Sequence, residues 1–575
     1  MESPWVTQYP LYAQNPQHPQ HPQYPAGMPA QISSNAYPSL VAMLEQSFIK
    51  HHEQPACICM GRALSFGQLD ALSLALAAYL QSLKLNRGDR VALMLPSVPQ
   101  ALVAVAAVLR AGLVVVNLSP QLAAAELEHQ LKDSGARVIV IIDTAGATLQ
   151  AVLGLMPTGT AMVAIVATMG DLLGPLKGRV VNHWMRRVQR SVPAYELPGS
   201  VSFHTALAVG RHKAFAPVDV GPDDIAALQY TGGTTGPSKG AVLLHRNLVA
   251  NLLQCAAWYG PALAQVPADE QLVTVGALPL HHIFGFTLVM LLGLHLGGCT
   301  LLIPNPHDTT GMLKVLARHR FHSFPAVNTI FEAVAQHADV DKVDWRSLRF
   351  SVGGAMAVEP TTALLWALKT GSVICQGYGL TEAGPAVTCN PVDATVFSGH
   401  IGLPLPGTDL ILVDDEGLPV PAGARGEIAI RGPQVMAGYW QRPEDTARVM
   451  TASGHLRTGD MGAIDDSGAL HLVDRKTDLI FVSGFNVYPN EIEDLITQMP
   501  GVRACAAISM PDAKAGEAVK VVLVKSDPGS ASPSEAEVRA YCEAHLIGYK
   551  RPKVVEFRLE LPRTTVGKVL RRSLR

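Results

Sequence analysis

Tyr230-Thr231-Gly232-Gly233-Thr234-Thr235-Gly236-Pro237-Ser238-Lys239-Gly240 is the stretch on which the reading of this chain turns. Glycine lets a backbone turn back on itself and approach a ligand closely. Successive N–H groups in such a turn form a concave anion site. The threonine and serine hydroxyls add donors, and Lys239 adds a point charge suited to phosphate. The composition predicts a phosphate-cradling loop. It is not a P-loop, because no Gly-Lys-Ser/Thr follows Gly232 or Gly233 at the required spacing. Apolar runs at 225–228 and 241–244 flank it, which favours a strand–loop–strand unit over a flexible linker.

Outward from this loop, residues 90–95, 113–117 and 136–142 read as short strands. Residues 39–48, 68–85, 100–111 and 126–134 carry helical spacing. That alternation predicts a parallel α/β sheet, and a second set runs through 271–304, 349–352 and 372–375. The most apolar segment, 284–303, approaches the roughly 20 residues of a membrane span. It contains His295, Gly293, Gly297 and Gly298 inside the α/β alternation, so it is read as a buried helix followed by a buried strand. From 407 the texture turns to β, with strands at 410–413, 426–431 and 471–473. A further unit begins near 478, with helices at 489–498 and 534–545 and strands at 504–509 and 519–525.

The 575 residues are 48% apolar, enough for several buried cores, and the formal net charge of −2 implies no basic face for nucleic acid. Eight scattered cysteines lack zinc spacing and read as reduced thiols of a cytoplasmic protein. The N-terminus shows no secretory signal pattern. Residues 1–31, rich in Pro, Gln and His, are expected to form a disordered tail, since they bury too little apolar surface to order themselves.

Several stretches can carry chemistry. Gly377-Tyr378-Gly379 follows a strand, where a Gly-flanked aromatic can stack on a planar base. Glu382 is a natural magnesium ligand beside phosphates. Asp460, in Thr458-Gly459-Asp460, suits ribose hydroxyls, and Asp474-Arg475 flanks the same hairpin-like segment. Lys568 sits in a C-terminal loop between Val566 and Val569 that reads as docked. Each of these singly is also compatible with a turn or a surface ion pair.

Jointly they resemble the adenylate-forming superfamily, and within it the bacterial long-chain fatty acyl-CoA synthetases. The stretches that carry the resemblance are 230–240 with 245–247, 279–284, 377–382, 432–440, 456–460, 474–493 and 561–572. The resemblance implies an α/β fold: a large N-terminal domain of α/β sheets with a β-rich subdomain (32–476), and a small mobile α+β C-terminal domain (477–575). It implies that Thr231, Gly232, Gly233, Thr234, Thr235, Gly236 and Lys239 hold ATP phosphates. Gly377 and Tyr378 would lie against adenine, Thr381 near the α-phosphate, and Glu382 on Mg²⁺. Asp460 and Arg475 would bind ribose, and Lys568 would reach the carboxylate and α-phosphate oxygens. His282 would separate acyl and nucleotide sites, Gly484 would line the CoA channel, and Thr477 would be the hinge. His281, His455 and Thr477 stand where relatives often carry an aromatic, a Trp, and a Lys or Asp.

The implied reaction is ATP-dependent activation of a long-chain fatty acid to acyl-adenylate, then transfer to CoA. Residues 273–303 are the candidate wall of the acyl channel. Activation of a medium-chain or aryl acid, transfer to a carrier protein, and a non-catalytic binder on the same fold stay open at this point. So do a homodimer and a peripheral contact with the inner face of the cytoplasmic membrane.

Overall fold

In this computed structural model the short Val/Ile/Ala runs become strands of two large sheets. The structure describes Tyr24, Met28, Pro29, Ile32, Ser33 and residues 36–155, 162–231, 237–421, 423–465, 469–482, 485–512, 515–526, 533–564 and 567–574. One sheet has eight strands in the order Gly438–Tyr439, Gly240–Leu244, Ile225–Tyr230, Val114–Asn117, Arg90–Met94, Val138–Ile142, Val163–Ala167 and Val201–Ser202. Its strands run parallel from Ile225–Tyr230 onward, while Gly240–Leu244 returns antiparallel beside Ile225–Tyr230. The other has nine strands, with a parallel centre built on Val273–Gly276, Ser323–Ala326, Phe350–Gly353 and Ile374–Gly379. Strands such as Val138–Ile142 and Cys299–Leu302 are buried at every residue, as expected for parallel strands covered on both faces.

The helices follow from local signals. Ser39 caps Leu40–Lys50 by accepting from the Ala42 N–H, and Ser65 with Gln68 forms a capping box on Phe66–Ser82. The apolar segment near 284 folds as expected: a buried π-helical stretch Gly285–Leu291 and helix Leu292–His295 lead into the strand Cys299–Leu302. Among the described residues no helix is long and apolar enough to cross a membrane.

By their internal contacts the residues divide into two units. The larger comprises Gln23–Asp409 and Gly432–Arg448; the smaller comprises Leu410–Arg431 and Val449–Arg575. The division does not coincide with the expected cut at 476/477. Residues 410–431 and 449–476, expected with the large domain, pack with the C-terminal residues instead. Asp474 and the Val473 carbonyl accept hydrogen bonds from Asn490 at 2.7 and 3.1 Å, and 410–431 joins them through the strand Gly426–Arg431, which pairs with Leu456–Ile464. The smaller unit holds a four-stranded antiparallel sheet (Asp409–Val413, Gly426–Arg431, Leu456–Ile464, Leu470–Arg475) and a five-stranded one centred on Gly516–Lys525.

Most of the N-terminal tail lies outside the described residues. Tyr24 is an exception to its expected disorder: its ring lies edge-on to Trp258, with centroids 6.0 Å apart. A single aromatic carries enough apolar area to dock even from a polar tail.

The second large sheet is backed by an aromatic cluster. Trp366, fully buried, lies 4.8 Å from Phe331, 5.1 Å from Phe324 and 5.3 Å from Trp345 between ring centroids. Its indole N–H donates to the Ser351 hydroxyl at 3.0 Å. Trp366→Ala leaves a large cavity and removes that hydrogen bond, and should destabilise the larger unit by about 3–5 kcal/mol. Denaturant unfolding would check this, with a clear drop in the midpoint as the expected outcome.

Candidate active site

In the larger unit, polar groups collect where buried strands end. Tyr230 closes one strand and Gly240 opens its antiparallel neighbour, so the loop between them must turn back sharply. Thr231 N–H donates to the Lys239 carbonyl at 3.0 Å, which pinches the loop at its base. Residues 232–236, five of the expected phosphate ligands, lie outside the described residues. The returning half is held by the helix Ala124–Ser134: Gln130 donates to the Ser238 hydroxyl at 3.1 Å, and the His129 ring bonds the Ser238 carbonyl at 2.9 Å.

Glu382 lies in a single turn, Thr381–Ala383, directly after the strand Ile374–Gly379. The strand runs through Gly377, Tyr378 and Gly379, so the expected base-stacking motif is the end of the strand itself. Gly379 is required there, since a Cβ would stand 2.1 Å from the Pro385 carbonyl oxygen. Tyr378 is buried. The Tyr439 hydroxyl donates to Glu382 Oε1 at 2.8 Å, and Lys239 Nζ sits 5.3 Å from the centre of the same tyrosine ring. Lys239 also pairs with Asp445 at 3.1 Å. Lys239, Tyr439 and Glu382 thus form one constellation. An oriented carboxylate beside a phosphate-type loop is the donor set of Mg²⁺, which takes one or two carboxylates together with substrate phosphates. Tyr439 was not singled out in the sequence, although it falls inside the 432–440 stretch; only its hydrogen bond reveals its part.

His281 and His282 follow the strand Val273–Gly276. Gln229 of the first large sheet donates to the His281 carbonyl at 2.8 Å and accepts from Asn117 at 3.1 Å, tying the two strand ends together. Burial pushes the His282 ring down to about 4, so it is neutral at pH 7. Its Nδ1 accepts from the Phe284 N–H at 3.3 Å, which leaves the ring proton on Nε2. A narrow apolar crevice of about 10 Å³, room for a single water, is lined by Tyr259, Leu263, Leu288, Leu292, Leu296 and Phe350, among others. Three of these leucines come from the 273–303 stretch expected to wall an acyl channel.

In the smaller unit, Asp460 and Arg475 are cross-strand partners, paired at 3.0 Å. Gly459 has φ +75°, the left-handed conformation that turns the strand between Thr458 and Asp460. Glu427, buried beneath, accepts from the Gly459 N–H and pairs with Arg457 and Lys476 at 2.7 and 3.0 Å. Lys568 belongs to the same neighbourhood. Burial, then the repulsion of Arg475, pushes its ammonium down to about 8, against the attraction of Asp460 and Asp478. Its loop is closed by the Thr564 N–H donating to the Lys568 carbonyl at 2.8 Å and by the Lys568 N–H donating to the Thr564 hydroxyl at 3.1 Å. Gly484 lies outside the described residues, and of Thr477 only the backbone is described, within the turn Lys476–Asp478.

Arg571, three residues beyond Lys568, was also not singled out. It donates to Asp478 at 2.9 Å, to Glu493 at 2.7 Å and to Asn490 at 2.7 Å. This clamp fastens the Lys568 loop to the segment that follows Arg475. Arg571→Met takes the guanidinium away from two largely buried carboxylates and should cost about 3 kcal/mol or more locally. The expected outcome in hydrogen exchange is faster labelling of 561–574, with the strand Ile374–Gly379 unchanged.

Comparison with known proteins bears on both units. The profile of the AMP-binding enzyme family matches residues 44–440, and that of the AMP-binding enzyme C-terminal domain matches 491–568. The long-chain-fatty-acid–CoA ligase of Escherichia coli O6:H1 is 48% identical over all of this chain and 98% of its own length. That of Yersinia pestis is likewise 48% identical, over 100% of this chain and 98% of its own. Among solved structures, ATP-bound MatB from Rhodopseudomonas palustris has a TM-score of 0.79 at 30% identity, covering 93% of this chain and 98% of its own. With both profiles matched in order and relatives near half identical from end to end, the chain belongs to the AMP-binding enzyme family.

Proposed function

We propose that this protein is a long-chain fatty acid–CoA ligase: it activates a fatty acid with ATP to acyl-adenylate, then transfers the acyl group to CoA. The observation that carries this reading is the end-to-end identity of 48% with long-chain-fatty-acid–CoA ligases.

In the first step the fatty carboxylate attacks the α-phosphorus and expels pyrophosphate. Such chemistry is mostly positioning and charge neutralisation. Thr231, Gly232, Gly233, Thr234, Thr235, Gly236 and Lys239 cradle the phosphates. Gly377 and Tyr378 face the adenine, and Thr381 reaches the α-phosphate. Glu382, oriented by Tyr439, is the residue that would hold Mg²⁺; that ion, when bound, neutralises phosphate charge. The neutral His282 closes the acyl site off from the nucleotide. Asp460 and Arg475 hold the ribose, and Lys568 stabilises charge on the carboxylate and α-phosphate oxygens. In the second step the CoA thiol, reaching past Gly484, attacks the acyl carbonyl and releases AMP. Lys568 and Gly484 serve different steps, and residues at the ends of elements are where hinges form, so Thr477 is the pivot between the two tasks.

Lys568→Ala should cut acyl-adenylate formation by about 10²–10³-fold, since losing such a contact costs about 3–4 kcal/mol. Conversion of supplied acyl-adenylate to thioester should persist; an equal loss in both half-reactions would refute the assigned role. Because the lysine is held down to about 8, its charge is present below that pH and lost above it. The kcat/KM for adenylation, which reports the free enzyme, should therefore fall as pH rises through about 8. That fall should be missing from the residual activity of Lys568→Ala.

Gly484→Leu separates a CoA ligase from an enzyme that stops at the adenylate. Pyrophosphate release in a single turnover should continue, acyl-adenylate should accumulate, and added CoA should fail to discharge it. In the 273–303 stretch that walls the acyl channel, Leu288→Trp should shift preference toward shorter acids, at about 0.8 kcal/mol for each methylene excluded. Comparing kcat/KM across a chain-length series measures that shift.

A further inference from the structure

The crossover from the strand Val163–Ala167 to the edge strand Val201–Ser202 carries a helix, Pro175–His183, continued by a π-helical turn, Trp184–Val188. Leu176, Val180, Trp184 and Val188 recur along it at intervals of four and stand 78, 68, 48 and 65% exposed. An i, i+4 row drifts by about 40° per step on an α-helix. The wider π turn takes back part of that drift, so the four form one outward stripe. Exposed basic side chains flank it: Lys177, Arg179, Arg186, Arg187 and Arg190. No acidic residue occurs between Leu172 and Tyr195. Lys177 bonds the Met60 carbonyl and Arg186 pairs with Asp143, while Arg179, Arg187 and Arg190 have no ion-pair partner among the described residues.

The outward aim of the stripe is fixed by how the helix is mounted. Gly178 faces inward so tightly that a Cβ there would lie 2.4 Å from the Gly170 carbonyl oxygen. Asn182 accepts from the Gly170 N–H at 2.7 Å and donates to the Thr168 hydroxyl at 2.9 Å. Met185 is buried on that inner face. The helix cannot roll to hide its leucine, valines and tryptophan without breaking these contacts.

We propose that this helix is the surface by which the protein docks on an anionic lipid bilayer. A row of apolar side chains that includes a Trp, bordered by arginines, matches the boundary between acyl chains and phosphate headgroups. A second copy of the chain fits it poorly. A two-fold interface would place the same basic borders against each other. The bilayer is also where a long-chain acid resides; that advantage, unlike the docking itself, rests on the function proposed above.

Co-sedimentation of the full chain with phosphatidylcholine vesicles, with and without phosphatidylglycerol, tests the proposal. The protein should pellet with the anionic vesicles, weakly with the neutral ones, and less as salt is raised. Val180→Glu/Trp184→Glu and Arg179→Glu/Arg187→Glu should each partition roughly tenfold or more weakly. Leu176→Ser, a milder change, should weaken partition in the same direction. Melting temperature and turnover of a water-soluble acid should stay unchanged in all three. Failure of the unaltered protein to pellet with anionic vesicles, or equal pelleting of the variants, would overturn the proposal. So would a dimer in size-exclusion chromatography that the variants abolish without any vesicle binding, because the occupant would then be a second copy.

Discussion

A strand covered on both faces can present chemistry only at its ends, and the larger unit is organised by that constraint. Its central strands are buried residue after residue, and their backbone groups are used up in the ladders. Glu382 comes one turn after Gly379, Lys239 one residue before Gly240, and His282 six residues after Gly276. Each lies within the first few residues beyond the apolar layer. Tyr439, on the short strand that pairs with Gly240–Leu244, then bridges to Glu382. The site is thus assembled by sheet register rather than by the loops alone.

The smaller unit works under a different rule. Two strands of its four-stranded sheet, Leu456–Ile464 and Leu470–Arg475, mix buried and half-exposed residues, so charged groups can be placed along a strand as well as at its end. Asp460 and Arg475 meet because they are register partners across a hairpin. Glu427 lies beneath them and draws Arg457 and Lys476 inward. Arg571 does the same for Asp478 and Glu493. Removing ammonium and guanidinium groups from water is costly unless each is paired. That cost explains why Lys568, whose neighbours include two arginines, holds its proton less tightly than an exposed lysine.

Much of this was legible in the residues. The strands at 90–95, 113–117 and 136–142 and the helices among them appear within two or three residues of their expected bounds. The segment at 284–303 is helix then strand and buried, although its π-helical winding left no trace in composition. Glu382, Lys568 and Asp460 stood out because glycines and apolar residues set them apart in sequence, whereas Arg475 sits among charged neighbours and its part was implied by the resemblance. Tyr439 and Arg571 did not, since one tyrosine or arginine in a motif looks like its neighbours until its partner is known. The basic helix at 175–188 was not singled out in the sequence, because an apolar row on a helix ordinarily marks the face a protein covers. Only the fit of Gly178 against Gly170 settles that the apolar stripe faces out.

By itself, the sequence determined the α/β class, the order of the elements and the residue types able to handle phosphate, metal and ribose. These depend on short-range terms: side-chain periodicity, glycine's backbone freedom and the chemistry of single groups. The tertiary structure decided which of those groups meet. It also decided that residues 410–431 and 449–476 pack with the C-terminal unit, and that Tyr24 docks on Trp258. Those outcomes depend on strand register and on contacts between residues far apart in the chain, where a shift of one position would turn every side chain to the opposite face.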